Sequence, residues 1–528
     1  MGSSKKKTIE LTLSNGLRID AIDYGDFLIL KSQADLAAFG KAIFDADFDF
    51  IDDVIATEIE ICVAVNERFD SGKLVELEQL ELSAIGESSS TVHELGICFP
   101  DEFEDWPAIS KHTGFSKSEY IDRLLKCEFS VAMIGFLPGF AYLGGLPDEL
   151  HVPRKSNPAT RTLPNTFAIG GKYAGIYALP SAAGWNCVGQ IAPPLFDPTQ
   201  LPPLSVSQSD RIKLKQVDED TIQKSLARIK NANRQINPGE GSGSLTFKKP
   251  GLLTLVQDRG RKGLAYFAIP PSGAMDATSA DVANVILGNS PQAPVIECHF
   301  AAPTIRFNTV ASICLTGANM QWRVDGEKVD RDRTIEIFAG SELSGSAAKK
   351  GCRSYIGIAG EIQTTKDFGS SACYMPGKLG GNEGRPFSSG DQLFWTQPNN
   401  PASPLQVDWN SVSDHGVLNL VAGPEFDLLD NDSQRAIMRG SFQITPSSDR
   451  MGARLSGPKL ATATKQLGDS VPLLPGMVQL TPDGQCIVIL QDGQTTGGYP
   501  RIGYLDARTV QQLNQTKIGH PFSFRMAE

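Results

Sequence analysis

Polar and apolar residues alternate from the first turn of the chain: Ile9, Leu11 and Leu13 face one way, Asn15-Gly16 supplies a tight-turn signal, and Leu17 and Ile19 resume the alternation. That pattern predicts a β-hairpin. Ser32 with Asp35 three residues on predicts a capped helix running through Ile43, and the apolar run at 59–65 predicts another strand. Beyond residue 91 one helix stands out, with Ser116 and Glu119 in a capping-box spacing and Ile121, Leu124 and Leu125 on one face. The following segment, to about residue 215, is rich in Gly, Pro and short apolar runs, as in a β-barrel with elaborate loops. A helix is predicted near 218–230, with Ile222, Leu226 and Ile229 on one stripe. The Gly/Ser-rich stretch at 237–244 then has the composition of a linker. After it the pattern is again mostly short strands, among them 312–315, 354–358 and 486–490. One clear helix, from about Asp276 to Leu287, stops at Gly288-Asn289.

With 528 residues the chain has room for three or four cores of about 150 residues each. Its 41% hydrophobic and 21% charged residues are those of a soluble globular protein and exclude disorder as the main state. A formal charge of −11 repels phosphate backbones and anionic membrane surfaces, so neither nucleic acid nor a membrane is expected as a partner. No stretch approaches the roughly 20 consecutive apolar residues of a membrane span, and the basic start, Met1 to Lys7, leads into a strand without an apolar h-region; a cytoplasmic protein is expected. The nine cysteines are scattered and embedded in apolar runs such as Ile61-Cys62-Val63, which suits reduced, buried thiols. The six histidines lack metal-ligand spacing, so no metal centre is expected. Phosphate-loop, HExxH, GxSxG and GxGxxG signatures are missing from the sequence. Any catalysis must come from Asp, Glu, Arg, Lys, Tyr and backbone amides.

Three clusters combine glycine turns with aromatic or charged groups. In the first, residues 135–145 carry Phe140 and Tyr142, and Arg154 and Trp185 follow. Glycine permits close approach to a small ligand, aromatics wall it from water, and Arg154 suits a carboxylate or phosphate; a tight turn packed on its own core is the competing reading. The second holds Gln257, Asp258 and Arg261, with Asp276 at a helix start and Glu297 inside an apolar strand. Two arginines beside an acid suit an anion, Asp276 either caps its helix or accepts a proton, and Glu297 needs a partner, structural or catalytic. The third is the run 491–501 with Gln494, Thr495, Gly497 and Tyr499, read either as an anion nest or as a bulged hairpin.

Together and in this order the clusters carry a resemblance. GFLPGFAYLGGL, the later Pro-Arg and the Gly-Trp turn resemble the KipI family, also called allophanate hydrolase subunit 1. From residue 245 onward, PGLLTLVQDRGRKG, PSGAMD, ANVILGN, GCRSY, GGNEGRPFSSGD, DRMGARLSGP and LQDGQTTGGYPRIG resemble the KipA family, allophanate hydrolase subunit 2. The chain is thus similar to a natural fusion of the two. The resemblance implies a mainly β protein: a small α+β domain at 1–90, a cyclophilin-like β-barrel at 91–236, the linker at 237–244, and two further cyclophilin-like barrels at 245–400 and 401–528.

The same resemblance implies the B and C subunits of a bacterial 5-oxoprolinase, which together with a separate A subunit open 5-oxoproline to glutamate at the expense of ATP. The related alternative is the biotin-dependent carboxyltransferase part of urea carboxylase, with carboxybiotin brought by a partner. A third is a regulatory protein of the kinase-inhibitor kind. For the leading reading the substrate is a small polar amide, ATP is the cofactor, and homo-oligomerisation is left open. Placed by residue type on the family motifs, Asp258, Asp276 and Arg261 are the catalytic candidates. Phe140, Tyr142, Arg154, Trp185, Gln257, Glu297, Arg353, Gln494, Thr495, Gly497 and Tyr499 are the substrate-binding candidates, gathered in a pocket between the two halves.

Overall fold

The computed structural model describes residues 8–13, 16–34, 36–66, 70–80, 90–101, 103–157, 159–230, 239, 242–397, 416–462 and 469–527. The fold is mostly β, with one closed barrel and several half-barrel sheets. The hairpin Thr8–Thr12 and Arg18–Asp23 opens a five-stranded antiparallel sheet that continues through Phe27–Lys31, Glu60–Val65 and Ile51–Ala56. Asn15 of the turn lies outside the described residues. Leu11, Ile19 and Ala21 alternate into the core beneath helix Ala37–Ala46. The third strand does not alternate: Phe27, Leu28, Ile29 and Leu30 are all buried. A run apolar on both faces needs cover on both faces. Leu28 and Leu30 face the local core, whereas Phe27 and Ile29 pack against Ala265, Leu473, Met477, Ile489 and Tyr504 of the second half.

Residues 92–216 form the closed barrel. Its strands are Val92–Cys98, Glu128–Ile134, Ala141–Gly144, Thr166–Gly170, Tyr173–Tyr177, Asn186–Ala192 and Arg211–Gln216, the first and last running parallel. The Ser116 and Glu119 capping box opens helix Lys117–Leu124, and helix Glu219–Lys230 seats Ile222 on the barrel wall. In the second half a seven-stranded and a five-stranded sheet, spanning residues 243–396, enclose a core built on Phe247, Trp322, Ile356 and Trp395. Helix Ala277–Ile286 packs on the outer face of Ala311–Asn319 and Lys350–Ile358. A last seven-stranded sheet lies within 417–526, flanked by helices Asn431–Arg439 and Ala507–Gln515. These second-half sheets remain open in their strand pairing. No described helix is long and apolar enough to cross a membrane, and all nine cysteines are buried and free.

Several local expectations are corrected. Ser32 does not cap the first helix, which starts at Ala37 after Leu36 without a side-chain cap; its Oγ instead donates to the Arg18 carbonyl and accepts from Ala34 N. Asp35 lies outside the described residues. Among the described residues the second half has three α-helices rather than one. Asp430 and Asp506 cap the two that the pattern missed by accepting from Ser433 N and Thr509 N, an Asp signal that works without a following Glu. Helix Trp106–Thr113 is a further element that the pattern does not announce. Most of the expected linker lies outside the described residues; Gly243 and Ser244 already belong to strand Gly243–Lys249.

Candidate functional site

The loop between Glu128–Ile134 and Ala141–Gly144 carries the first cluster. Phe136 takes a left-handed φ of 65°, which turns the chain back so that Phe140 lands inside the barrel mouth. There Phe140 meets Tyr142 at 4.7 Å, Tyr177 at 4.6 Å and Trp185 at 5.6 Å between ring centroids, in edge-to-face arrangements. Arg154 is exposed and lies over the Trp185 ring at 5.6 Å. This aromatic block reaches the second half directly. Phe136 N donates to Thr496 Oγ1 at 2.7 Å. Burial raises the pKa of the Tyr142 hydroxyl, and the neighbouring Ser470 and Thr496 side chains oppose the rise.

The third cluster is therefore a loop held at three points. Its start is fixed by Asp492, which accepts from Arg450 Nε at 2.8 Å and Nη2 at 3.1 Å. Its middle, the short strand Thr496–Gly497, pairs with Val471–Pro472 and touches the front loop. A Cβ on Gly497 would sit 2.8 Å from Gln494 Nε2 and 2.9 Å from Leu473 Cδ1, so a larger residue there would push those side-chain ends aside. Its end is Arg501, fully buried, with two nitrogens and its backbone N–H on the Glu425 carboxylate and Nη1 on Glu60 of the front half. Lys31 joins the same pair of acids. Tyr499 stands at the rim, 38% exposed.

Behind this loop lies a buried charge network. Glu297 accepts from Met275 N at 2.7 Å, Tyr355 OH at 2.9 Å, His299 Nε2 at 2.7 Å and Arg450 Nη1 at 2.5 Å. Burial pushes its carboxyl up, but the Arg450 and His299 contacts outweigh that and hold it at about 2. His299 is pushed down by burial, against the pull of Glu297, whose carboxylate accepts from its Nε2. Asp276 caps helix Ala277–Ile286 through Ser279 N, and its other oxygen takes Ser279 Oγ at 2.6 Å and Gln515 Nε2 at 2.8 Å. Burial raises its pKa, so this carboxyl holds a proton more readily than an ordinary one. Asp258 is saturated by Gly260 N, Ser370 Oγ and Ser371 N and braces its own loop. Arg353 donates through Nη1 to the Asn514 carbonyl and lies over Phe300 at 5.9 Å. Gln257 and Arg261 end on the successive carbonyls of Cys373 and Ala372.

Two groupings result, joined by one loop. Phe140, Tyr142, Arg154 and Trp185 form the front wall; Gln257, Asp258, Arg261, Asp276, Glu297 and Arg353 gather in the second half; Gln494, Thr495, Gly497 and Tyr499 lie on the connector. Sequence reasoning passed over Arg450, Tyr355 and His299, and it held Asp492 and Thr496 only as members of the 491–501 run, without a role. Arg450 and Tyr355 do stand inside quoted motifs, yet their partners are far along the chain. A separate cleft of about 310 Å³, lined by Gln363, Asn382, Glu383, Arg385 and Asp391 among others, includes none of the anticipated site residues.

Comparison with known proteins matches both halves. Residues 267–526 fit the carboxyltransferase domain, subdomain A and B, and residues 16–206 fit the carboxyltransferase domain, subdomain C and D. The C subunit of 5-oxoprolinase from Escherichia coli K12 is 35% identical over 288 residues, 53% of this chain and 90% of that protein. The B subunit of 5-oxoprolinase from Bacillus subtilis is 31% identical over 157 residues, 29% of this chain and 65% of that protein. Urea amidolyase of Saccharomyces cerevisiae is 30% identical over 298 residues, 52% of this chain but 16% of that much longer protein. The crystal structure of TTHA0988 superposes with a TM-score of 0.81 at 25% identity, covering 95% of this chain and all of that one.

Proposed function

We propose that this chain, which belongs to the carboxyltransferase-domain family together with the 5-oxoprolinase B and C subunits, is a fused B–C component of a 5-oxoprolinase acting on 5-oxoproline with a separate A subunit. The observation that carries the reading is the contact of Phe136 and Tyr142 with Thr496, which joins the aromatic block of one half to the loop anchored in the charge network of the other. Relatives of the two halves named as the B and C subunits of one enzyme support it.

In this reading the lactam lies where the connector loop meets the aromatic wall. Phe140, Tyr142 and Trp185 exclude water, and backbone amides of the 494–498 stretch face the lactam carbonyl, whose resonance must be broken for the ring to open. The Arg450 to Asp492 pairing keeps that loop in place. Asp276, with its raised pKa, is the better of the two acids to hold a proton, since Asp258 is committed to three donors. Arg154 at the mouth and Arg261 within supply positive charge.

The described residues fit a triphosphate poorly. Arg450 and Arg501 are neutralised by carboxylates, and Arg154, Arg261 and Arg353 are each held by a different neighbour, the Trp185 ring, the Ala372 carbonyl and the Asn514 carbonyl, rather than gathered around one phosphate chain. No step on this chain is therefore routed through ATP, and the nucleotide chemistry falls to the complex. Biotin enters only in the carboxyltransferase alternative, again through a partner. The test is to mix the purified chain with ATP, 5-oxoproline and the A subunit, then to quantify glutamate, beside a urea and carboxybiotin control. Glutamate formation that needs both proteins supports the reading; carboxylation of urea with no glutamate replaces it by the alternative.

A further inference from the structure

Folding leaves a group of buried polar atoms without partners around Arg261. Its side chain is 2% exposed, Nη2 donates to the Ala372 carbonyl, and Nε and Nη1 have no partner among the described residues. The acids nearest it are committed elsewhere: Asp258 to three donors, Asp492 to Arg450, and Asp367 to Gly380 N. Gln257 Oε1, Ser272 Oγ and Tyr374 OH are also buried and unpartnered. Hydrogen bonds to shared backbone segments link their residues. Gln257 Nε2 bonds the carbonyl of Cys373, next to the one that Arg261 uses. Arg261 N donates to the Pro271 carbonyl beside Ser272, whose own N–H donates to Gln491 at the base of the connector loop. The Arg261 charge acts on the Tyr374 hydroxyl.

A buried guanidinium with unmet N–H groups and a buried amide oxygen with no donor are both costly for folding. Their needs are complementary to one molecule: free N–H groups of Arg261 suit a carboxylate, and Gln257 Oε1, with the NH₂ of the same amide turned to the Cys373 carbonyl, needs an N–H. We propose that Arg261 and Gln257 form a specificity pocket for a small molecule bearing a carboxylate beside an N–H donor, with Ser272 and Tyr374 completing the acid's hydrogen bonds. The inference rests on the reading that the chain acts on a small amide, and adds which residues demand the acid group. A carboxylated amide or lactam satisfies the pocket. Urea, an N–H donor without an acid, does not.

Calorimetry on the full chain tests this with 5-oxoproline, N-acetylglycine, 2-pyrrolidone, cyclopentanecarboxylate, urea and inorganic phosphate as probes. The expected result is that a probe with both groups binds at least about tenfold more tightly than any probe lacking one. Arg261→Lys should weaken that binding by a similar factor. Tyr374→Phe should weaken it without lowering the melting temperature, because the hydroxyl it removes has no partner in the fold. Urea, 2-pyrrolidone or phosphate binding as tightly as 5-oxoproline would overturn the pocket, as would a melting temperature lowered by Tyr374→Phe. N-acetylglycine binding while 5-oxoproline does not would leave the pocket standing and remove the lactam reading. Glutamate formation unchanged in Arg261→Lys would do the reverse.

Discussion

Gly135→Ala puts one methyl group into the joint between the halves, and its cost can be worked from the geometry. Gly135 is buried and its φ is not left-handed, so alanine brings no backbone strain. The added Cβ would collide with Thr496 Oγ1, lie 2.6 Å from its Cγ2 and 3.0 Å from its Cβ. Thr496 is fully buried and pinned by its strand pairing with Pro472, so it cannot swing away freely. Overpacking of this kind costs about 1–3 kcal/mol. Displacing the hydroxyl strands Phe136 N without its acceptor, worth a further ~1–3 kcal/mol. Thr496→Ala alone should cost about 1–3 kcal/mol, mostly for the same stranded N–H. In the double variant only the 3.0 Å contact remains, so the clash is largely gone and the hydrogen bond is lost once rather than twice. The combined loss should fall short of the sum by at least ~1 kcal/mol. Urea midpoints of the four proteins under one condition measure it. A neutral Gly135→Ala, or costs that simply add, would refute the claim that these loops meet.

Other consequences concern buried charge. Arg450→Met leaves Glu297 and Asp492 without their shared cation and should destabilise by about 3–5 kcal/mol, with part of the loss recovered when Glu297→Gln and Asp492→Asn are added. Glu297 is held at about 2 against an ordinary 4.5; its stabilising contribution is complete above pH 4.5 and is lost as pH falls toward 2, so Glu297→Gln should flatten the stability profile over that window. Asp53 behaves oppositely. Burial raises its carboxyl from 3.8 to about 7 where Oδ1 accepts from Ala265 N across the two halves. The folded state binds the extra proton, so its contribution is greatest below pH 3.8 and declines as pH rises to about 7. Asp53→Asn should then gain melting temperature relative to wild type near pH ~8 but not near pH ~4. Glu60→Gln removes one of the acids around Arg501 and should lower the melting temperature; an unchanged value would mean that Glu425 alone holds Arg501.

What the sequence discloses depends on how local the determining partner is. The first hairpin, the Ser116 capping box and the helix behind Asp276 are set within a few residues and are legible as such. The strand Phe27–Lys31 is not: its unbroken apolar run records cover by Ala265, Leu473 and Tyr504, residues of the distant second half that periodicity cannot identify. Helices Asn431–Arg439 and Ala507–Gln515 are short and mostly polar, with narrow apolar stripes, and their Asp caps lack the second half of a capping box. For the site, residue type singles out Glu297 and its need for a partner, but Arg450 becomes meaningful only once folding sets it between Glu297 and Asp492. Asp276 shows the limit of residue-type reasoning from the other side, because the same carboxylate caps a helix and sits, with raised pKa, in the buried network.

The most direct measurement of a single shared site is the fluorine resonance of Trp185 in 5-fluorotryptophan-labelled protein, assigned with Trp185→Phe and followed during titration with 5-oxoproline. The account predicts that this front-half signal shifts on titration and that Arg261→Lys, in the rear half, moves the midpoint of the shift to a concentration about tenfold higher. A Trp185 signal indifferent to 5-oxoproline, or one that shifts identically in the Arg261 variant, would contradict it.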